Sequence, residues 1–174
     1  MANAIPGVNA AGRQPIYIFP ATEVPDLTDA TASVPLAVVT AGTKIDCYYN
    51  FGGVELNREA ITKDQQRACQ KVAETVKIGE TISGSITAVF DQQATSEAEV
   101  NKAYAALPEG GEVIMFVAHG WDTDVAPTAE TKGDVWRMTV SQVHKGIAAS
   151  AEEDITFTAT LNGSMYVSDV SLSA

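Results

Sequence analysis

The sequence predicts a mainly β domain, an antiparallel β-sandwich or barrel-like fold with one flanking α-helix. Three observations predict it. Short stretches of alternating apolar and polar residues recur along the chain. Gly, Pro, Asn and Asp punctuate them at intervals suited to turns between strands. Only one stretch, about 96–107, reads as a helix with a start and a stop signal. No internal repeat and no second domain boundary is visible, so residues 15–174 read as a single β domain preceded by an extended arm at 1–14.

The elements follow in order. Ile16–Phe19 reads as a short buried strand. Residues 20–33, with two prolines, read as a long loop, of the kind that packs against a partner or carries function. Residues 35–39 suggest a short edge strand, because Pro35 cannot donate to a central ladder. Residues 44–51 alternate and are rich in aromatics, which predicts a strand closed by Gly52-Gly53, with a return strand over 54–59. Residues 60–77 read as a loop or a short turn of helix leading into a strand. Over 78–90 the pattern is cleaner. Ile82, Gly84, Ile86, Ala88 and Phe90 share one face, and Thr81, Ser83, Ser85, Thr87 and Val89 share the other.

Ser96-Glu97-Ala98-Glu99 has the spacing of a capping box, and the helix it opens should stop before Pro108-Glu109-Gly110-Gly111. Residues 112–119 are an apolar run, hence a buried strand, and 120–132 a polar loop. Residues 133–145 alternate, with Val135, Arg137, Thr139 and Ser141 opposite Trp136, Met138, Val140 and Gln142. A last pair of strands, 155–161 and 165–170, is predicted around Asn162-Gly163, a strong two-residue turn signal.

Composition narrows the function. Lys and Arg number 11 against 22 Asp and Glu, giving a formal net charge of -11. Phosphate-binding surfaces need clustered basic residues, and no such stripe occurs here. No stretch approaches the ~20 apolar residues that span a bilayer, and the first residues lack a basic-then-apolar leader, which predicts synthesis in a cytoplasm. Cys47 and Cys69 make no disulfide framework; two buried thiols or one bridge both fit the sequence.

Catalytic and metal patterns are weak. His119 and His144 lack ligand spacing to each other or to a cysteine, and Cys47 has no signature of a thiol–imidazole dyad. Asp122-Thr123-Asp124 runs into Val125, Ala126 and Pro127, which reads as a surface turn and not a calcium loop. Glu152-Glu153-Asp154 reads as a solvated charge run. Phosphate-cradling glycine motifs and a nucleophile elbow are absent from the sequence. Trp121 and Trp136 fit a core, an interface or a sugar-stacking platform. The expectation is a protein without catalytic residues, cofactor or metal.

Several segments, in one order, resemble the major tail tube proteins of long-tailed phages infecting actinobacteria. They are AGTKIDCY at 41–48, RACQKVAETVKIGETISGSITAVFDQQ at 67–93, AYAALPEGGEVIMFVAHGWDTD at 103–124, GDVWRMTVSQVHKG at 133–146 and DITFTATLNG at 154–163. The likeness spans roughly 34–165. It implies a β-sandwich tail tube fold whose copies form hexameric rings stacked into a tube, through which DNA passes without specific binding. It further implies a virion location and, as partners, other copies of the chain, a tape measure protein, and tail terminator or distal tail proteins. The arm at 1–14 and the loop at 20–33 match segments that grip neighbours by position and composition only.

A lumen that conducts DNA should avoid neutralising phosphates. On that ground the outer faces of 78–90 and 133–145 are expected to line it, with Ser83, Ser85, Thr87, Thr139 and Ser141 as the lumen-facing residues. Two other classes fit the same composition. A capsid decoration or tail terminator subunit would close into one ring or trimer, and a carbohydrate-binding β-module would expose aromatics and work as a monomer.

Overall fold

A computed structural model describes residues 11–24, 27, 33–66, 69, 71–148, 150 and 153–174. The element order is β1 (Ile16–Pro20), β2 (Val34–Pro35), α1 (Leu36–Ala41), β3 (Thr43–Lys44), β4 (Val54–Gln65), β5 (Glu74–Val89), α2 (Lys102–Ala105), β6 (Glu112–Val117), β7 (Lys132–Lys145) and β8 (Thr156–Ser173). One sheet runs in the order β3-β1-β6-β7-β8-β5-β4, with β2 added in parallel to the end of β8. Every other pairing is antiparallel. The fold is the mainly β, antiparallel architecture that the alternation predicts.

Two apolar clusters sit on opposite faces of this sheet. The first gathers Ile18, Ile86, Met115, Met138, Phe157 and Leu161, with Leu107 from the turn after α2. The second gathers Phe19, Leu27, Val39, Phe116, Val135 and Leu172. Strands β1 and β6 are therefore covered on both sides, which explains why Glu112–Val117 is a continuous apolar run and not an alternating one. Segment 45–53 crosses from one margin of the sheet to the other. The Ile45 amide donates to Ile16 O, whereas Tyr48 O and Gly53 O accept from Val89 and Thr87. This crossing gives the sheet its barrel-like closure.

Five local expectations are corrected. Residues 36–41 form a helix and not an edge strand; only Val34–Pro35 is extended. Residues 46–51 are turns, because their backbone groups bridge two sheet margins and leave no partner for a ladder. The stretch 60–77 is mostly strand, since β4 and β5 pair, through one bulge, to Gln65–Glu74. Its polar, helix-favouring residues are tolerated there because both faces are exposed.

The helix at 96–107 shrinks to a 3-10 turn, Glu99–Asn101, and one α turn at α2. Its capping box does not form; Glu99 is taken by Tyr48 and Lys102. Asn101 holds the preceding loop, accepting from Asp91 N and donating to Asp91 O and Thr95 O.

Last, Asn162-Gly163 is not a turn: β8 runs through it for 18 residues. A Cβ on Gly163 would lie 2.2 Å from Ile82 Cγ2, so this glycine serves close strand packing. Of the predicted arm, residues 1–10 lie outside the described residues, while Gly12 O and Arg13 O accept from Thr123 and Gly120. Most of loop 20–33 also lies outside them; its start is a 3-10 turn, Ala21–Glu23, and Leu27 is fully buried.

Candidate functional site: a polar sheet face and a projecting ribbon

The first candidate surface grows from strand alternation. On β5, the residues that alternate with buried Ile82, Ile86 and Ala88 are Ser83, Ser85 and Thr87. Strand β8 lies between β5 and β7, so hydroxyl residues of three strands come into rows. One row reads Glu112, Thr139, Asn162, Ser83, Asn57 from β6 to β4. The next reads Gln142, Thr160, Ser85, Glu55, and a third His144, Thr158, Thr87. Ser141 is the extra residue of a bulge between Val140 and Gln142, and its hydroxyl donates to Thr160 O at 3.0 Å. All five residues singled out in the sequence thus share one face.

The sequence missed Thr158, Thr160 and Asn162, which form the middle of that face. The Thr alternation of 156–160 was the available signal. Reading Asn162-Gly163 as a turn hid how far β8 continues.

This face is polar but chemically quiet. The Thr87 and Thr158 hydroxyls bond each other at 2.9 Å. Arg137 is held by Glu112 through two hydrogen bonds, of 2.8 and 3.0 Å. That pairing holds the Glu112 carboxyl below the usual carboxylate range and raises the Arg137 guanidinium. Lys145, at the end of β7, turns to the other side and lies over the Phe90 ring at 4.8 Å. The same face continues towards β1, where residues of the second apolar cluster cover it.

The second candidate surface is a ribbon. β4 pairs with β5 from Val54 to Gln65, whereas β8 accompanies β5 only from Ile82 to Val89. The far ends of β4 and β5 therefore project as a two-stranded arm. A bulge between Ile61 and Thr62 leaves Ile78 unpaired. Register places Ile61 and Val76 on one side of the arm, and Ile61 Cδ1 lies 3.8 Å from the Cβ position of Gly79. Ile61, Val76 and Ile78 are all exposed, Ile78 by 58%.

The opposite side of the arm is charged. Glu80 binds Arg58 and Lys77, each at 2.7 Å, and these bonds hold its carboxyl low. Arg58 also lies over the Tyr166 ring at 4.9 Å, which braces the base of the arm against β8.

The weaker chemical candidates stay apart. Trp136 packs in the first apolar cluster and Trp121 against the second, so they form no shared platform. Asp122 accepts from the Asp124 amide at 3.0 Å, closing a surface turn. Cys47 and Cys69 are exposed free thiols. Glu152 lies outside the described residues. Among the described residues no three His, Cys, Asp or Glu side chains are grouped to hold a metal ion, and no helix is long and apolar enough to cross a membrane.

Residues 1–170 match the family model described as phage tail tube protein. The chain belongs to that family. No curated protein matches it closely enough to count. Among solved structures it is similar to the SPP1 tail tube, with TM-score 0.56 and 7% identity over 93% of this chain and 79% of that one. At this identity the likeness concerns the fold. Weaker similarities are to a chain of the anti-feeding prophage baseplate, with TM-score 0.49 and 8% identity over 94% and 95%. A chain of a native gene transfer agent virion gives TM-score 0.46 and 12% identity over 75% and 90%.

Proposed function

We propose that this chain is the structural subunit of a long-tailed phage tail tube, assembling as stacked hexameric rings around a channel that conducts DNA. It works by assembly and carries out no catalysis. The observation that carries the reading is the four-strand face of β7, β8, β5 and β4. It is rich in hydroxyl and amide groups, and its one arginine is neutralised by Glu112. The likeness of 41–48 and 67–93 to tube proteins of actinobacterial phages supports that host class. Tape measure and terminator or distal tail proteins are the further partners within the virion.

Ring closure uses strand edges. β4 is the last strand of the sheet, and β7 beyond Thr139 has lost β6 as a neighbour. Pairing β4 of one copy with the lower part of β7 of the next extends the sheet around a ring and removes both edges. Stacking is a head-to-tail contact, which grows an open filament. The projecting ribbon suits it, since it exposes Ile61, Val76 and Ile78.

On this reading Ser83, Ser85, Thr87, Thr139 and Ser141 face the lumen, with Thr158, Thr160 and Asn162 between them. Thr87 and Thr158 bond each other and Ser141 donates to the Thr160 carbonyl, so these hydroxyls offer passing phosphates few free donors. Two measurements test the proposal. Electron microscopy of the concentrated full chain should show tubes with a central hole. Ser85→Lys should leave tubes intact and slow DNA ejection from virions; an unchanged ejection rate removes Ser85 from the lumen.

A further inference from the structure

Ring closure asks the lower edge of β7 to accept a strand, and in the subunit that edge is already occupied by a side chain. β6 accompanies β7 only from Asp134 to Thr139. One further residue is held by the turn before β6: Gly110 N donates to Val140 O at 2.8 Å, and Val140 N to Gly111 O at 2.9 Å. Past it, Ser141 bulges out of register, and among the described residues no backbone group meets that side of β7. The amide of Val143 faces this open side and donates to Glu109 Oε2 at 3.2 Å.

An unpaired edge amide is a template for strand addition, and bulges and charged side chains are the usual means of blunting it. Both stand side by side here. Glu109 is exposed, and among the described residues it forms no ion pair. Its backbone is fixed by the turn in which Gly111 N donates to Pro108 O at 2.9 Å. Its side chain borders a hollow of about 290 Å³, lined also by Tyr104, Leu107, Pro108 and Val143, which leaves it room to swing aside.

We propose that Glu109 is an edge guard: it caps the Val143 amide in the free subunit and is displaced when β4 of the neighbouring copy adds to β7. The inference rests on the ring closure proposed above and adds what holds that closure back. Strand directions name the occupant. β8 and β5 separate β7 from β4, and each of the three pairings is antiparallel, so β4 runs opposite to β7. Rotation about a ring axis keeps each strand's sense along that axis. A neighbour's β4 therefore meets β7 antiparallel and offers a carbonyl where the Glu109 oxygen sits. A carboxylate suits the guard, because it accepts from one amide and donates nothing that could continue a ladder. Subunits stay apart until a partner edge competes for that amide.

Three substitutions separate reach from charge. Glu109→Asp keeps the charge and shortens the reach. Glu109→Gln keeps the reach and an acceptor without the charge, and Glu109→Ala removes both. In light scattering of the purified full chain, Glu109→Ala and Glu109→Asp should form tubes at a concentration lower by about fivefold, the worth of one net hydrogen bond. Glu109→Gln should stay closer to the unsubstituted chain. In free subunits Glu109→Ala should speed hydrogen exchange at the Val143 amide, and in tubes that amide should exchange equally slowly with either residue.

An unchanged or higher concentration in Glu109→Ala and Glu109→Asp overturns the guard and leaves the tail-tube reading standing. So does a drop that follows charge, with Glu109→Gln matching Glu109→Ala and Glu109→Asp matching the unsubstituted chain. Exchange at Val143 that Glu109→Ala still speeds within tubes also overturns it, because the carboxylate would then remain in place after assembly. If neither the unsubstituted chain nor any variant forms tubes, the tail-tube reading falls and this inference with it.

Discussion

The two halves of β5 differ although they belong to one strand. Residues 82–86 lie between β4 and β8, and 87–89 between segment 45–53 and β8; Ile82, Ile86 and Ala88 are buried while Ser85 and Thr87 remain on the other face. Residues 74–81 pair only with β4, and Val76 and Ile78 stay exposed. Residues of the first half are selected by packing within the chain. Among the described residues those of the second pair only with β4, and on the proposed reading their apolar groups meet a partner. The body is selected by the fold; on the proposed reading the ribbon serves stacking.

Mutations can break this division, starting with the largest expected effect on stability. Phe157 is fully buried and meets Tyr104 edge-on at 5.1 Å and Phe90 at 6.3 Å. Phe157→Ala should cost about 3–5 kcal/mol and lower the melting temperature by roughly 10 °C, as read by calorimetry. Gly163→Ala drives a methyl into Ile82 and the sulfur of Met138. It should cost about 1–3 kcal/mol, and adding Ile82→Ala should recover part of the loss.

A smaller effect concerns alkali. Burial first, then the Glu99 hydrogen bond, pushes the Tyr48 phenol up to about 12; burial and Asp46 do the same for Tyr49, also to about 12. A raised folded-state value means stability that is complete below the ordinary tyrosine value of 10.0 and lost as pH rises from there to about 12. Denaturant midpoints measured from neutral pH upward should hold and then fall across that window. Tyr49→Phe should flatten the fall.

The smallest stability effect belongs to the ribbon. Ile78→Ser should change unfolding free energy by less than about 0.5 kcal/mol, because the side chain is exposed. It should nonetheless weaken tube formation, as followed by sedimentation. A large loss of monomer stability would mean that the ribbon packs on its own body, which would erase the contrast.

Much of the body was legible in the sequence, because inward and outward residues differ where a strand has one buried face. The rows through Ser83, Ser85 and Thr139 followed from that alternation. Three features were not legible. Gly163 reads like a turn residue until Ile82 is placed against it. Glu99 reads like half of a capping box until Tyr48, 51 positions away, takes its carboxylate. The ribbon has no buried face, so its polar residues carry no period, and the pairing of its two strands appears only in the register. Each failure comes from a contact distant in sequence, which local pattern cannot contain.

The most direct test of the account is a cryo-electron microscopy map of tubes assembled from the full chain. The account predicts that the face bearing Ser85, Thr160 and Thr139 lines the central hole, with β4 of each copy paired to the lower part of β7 of its neighbour. A map in which that face turns outward, or in which the chain closes into single rings that do not stack, would contradict it.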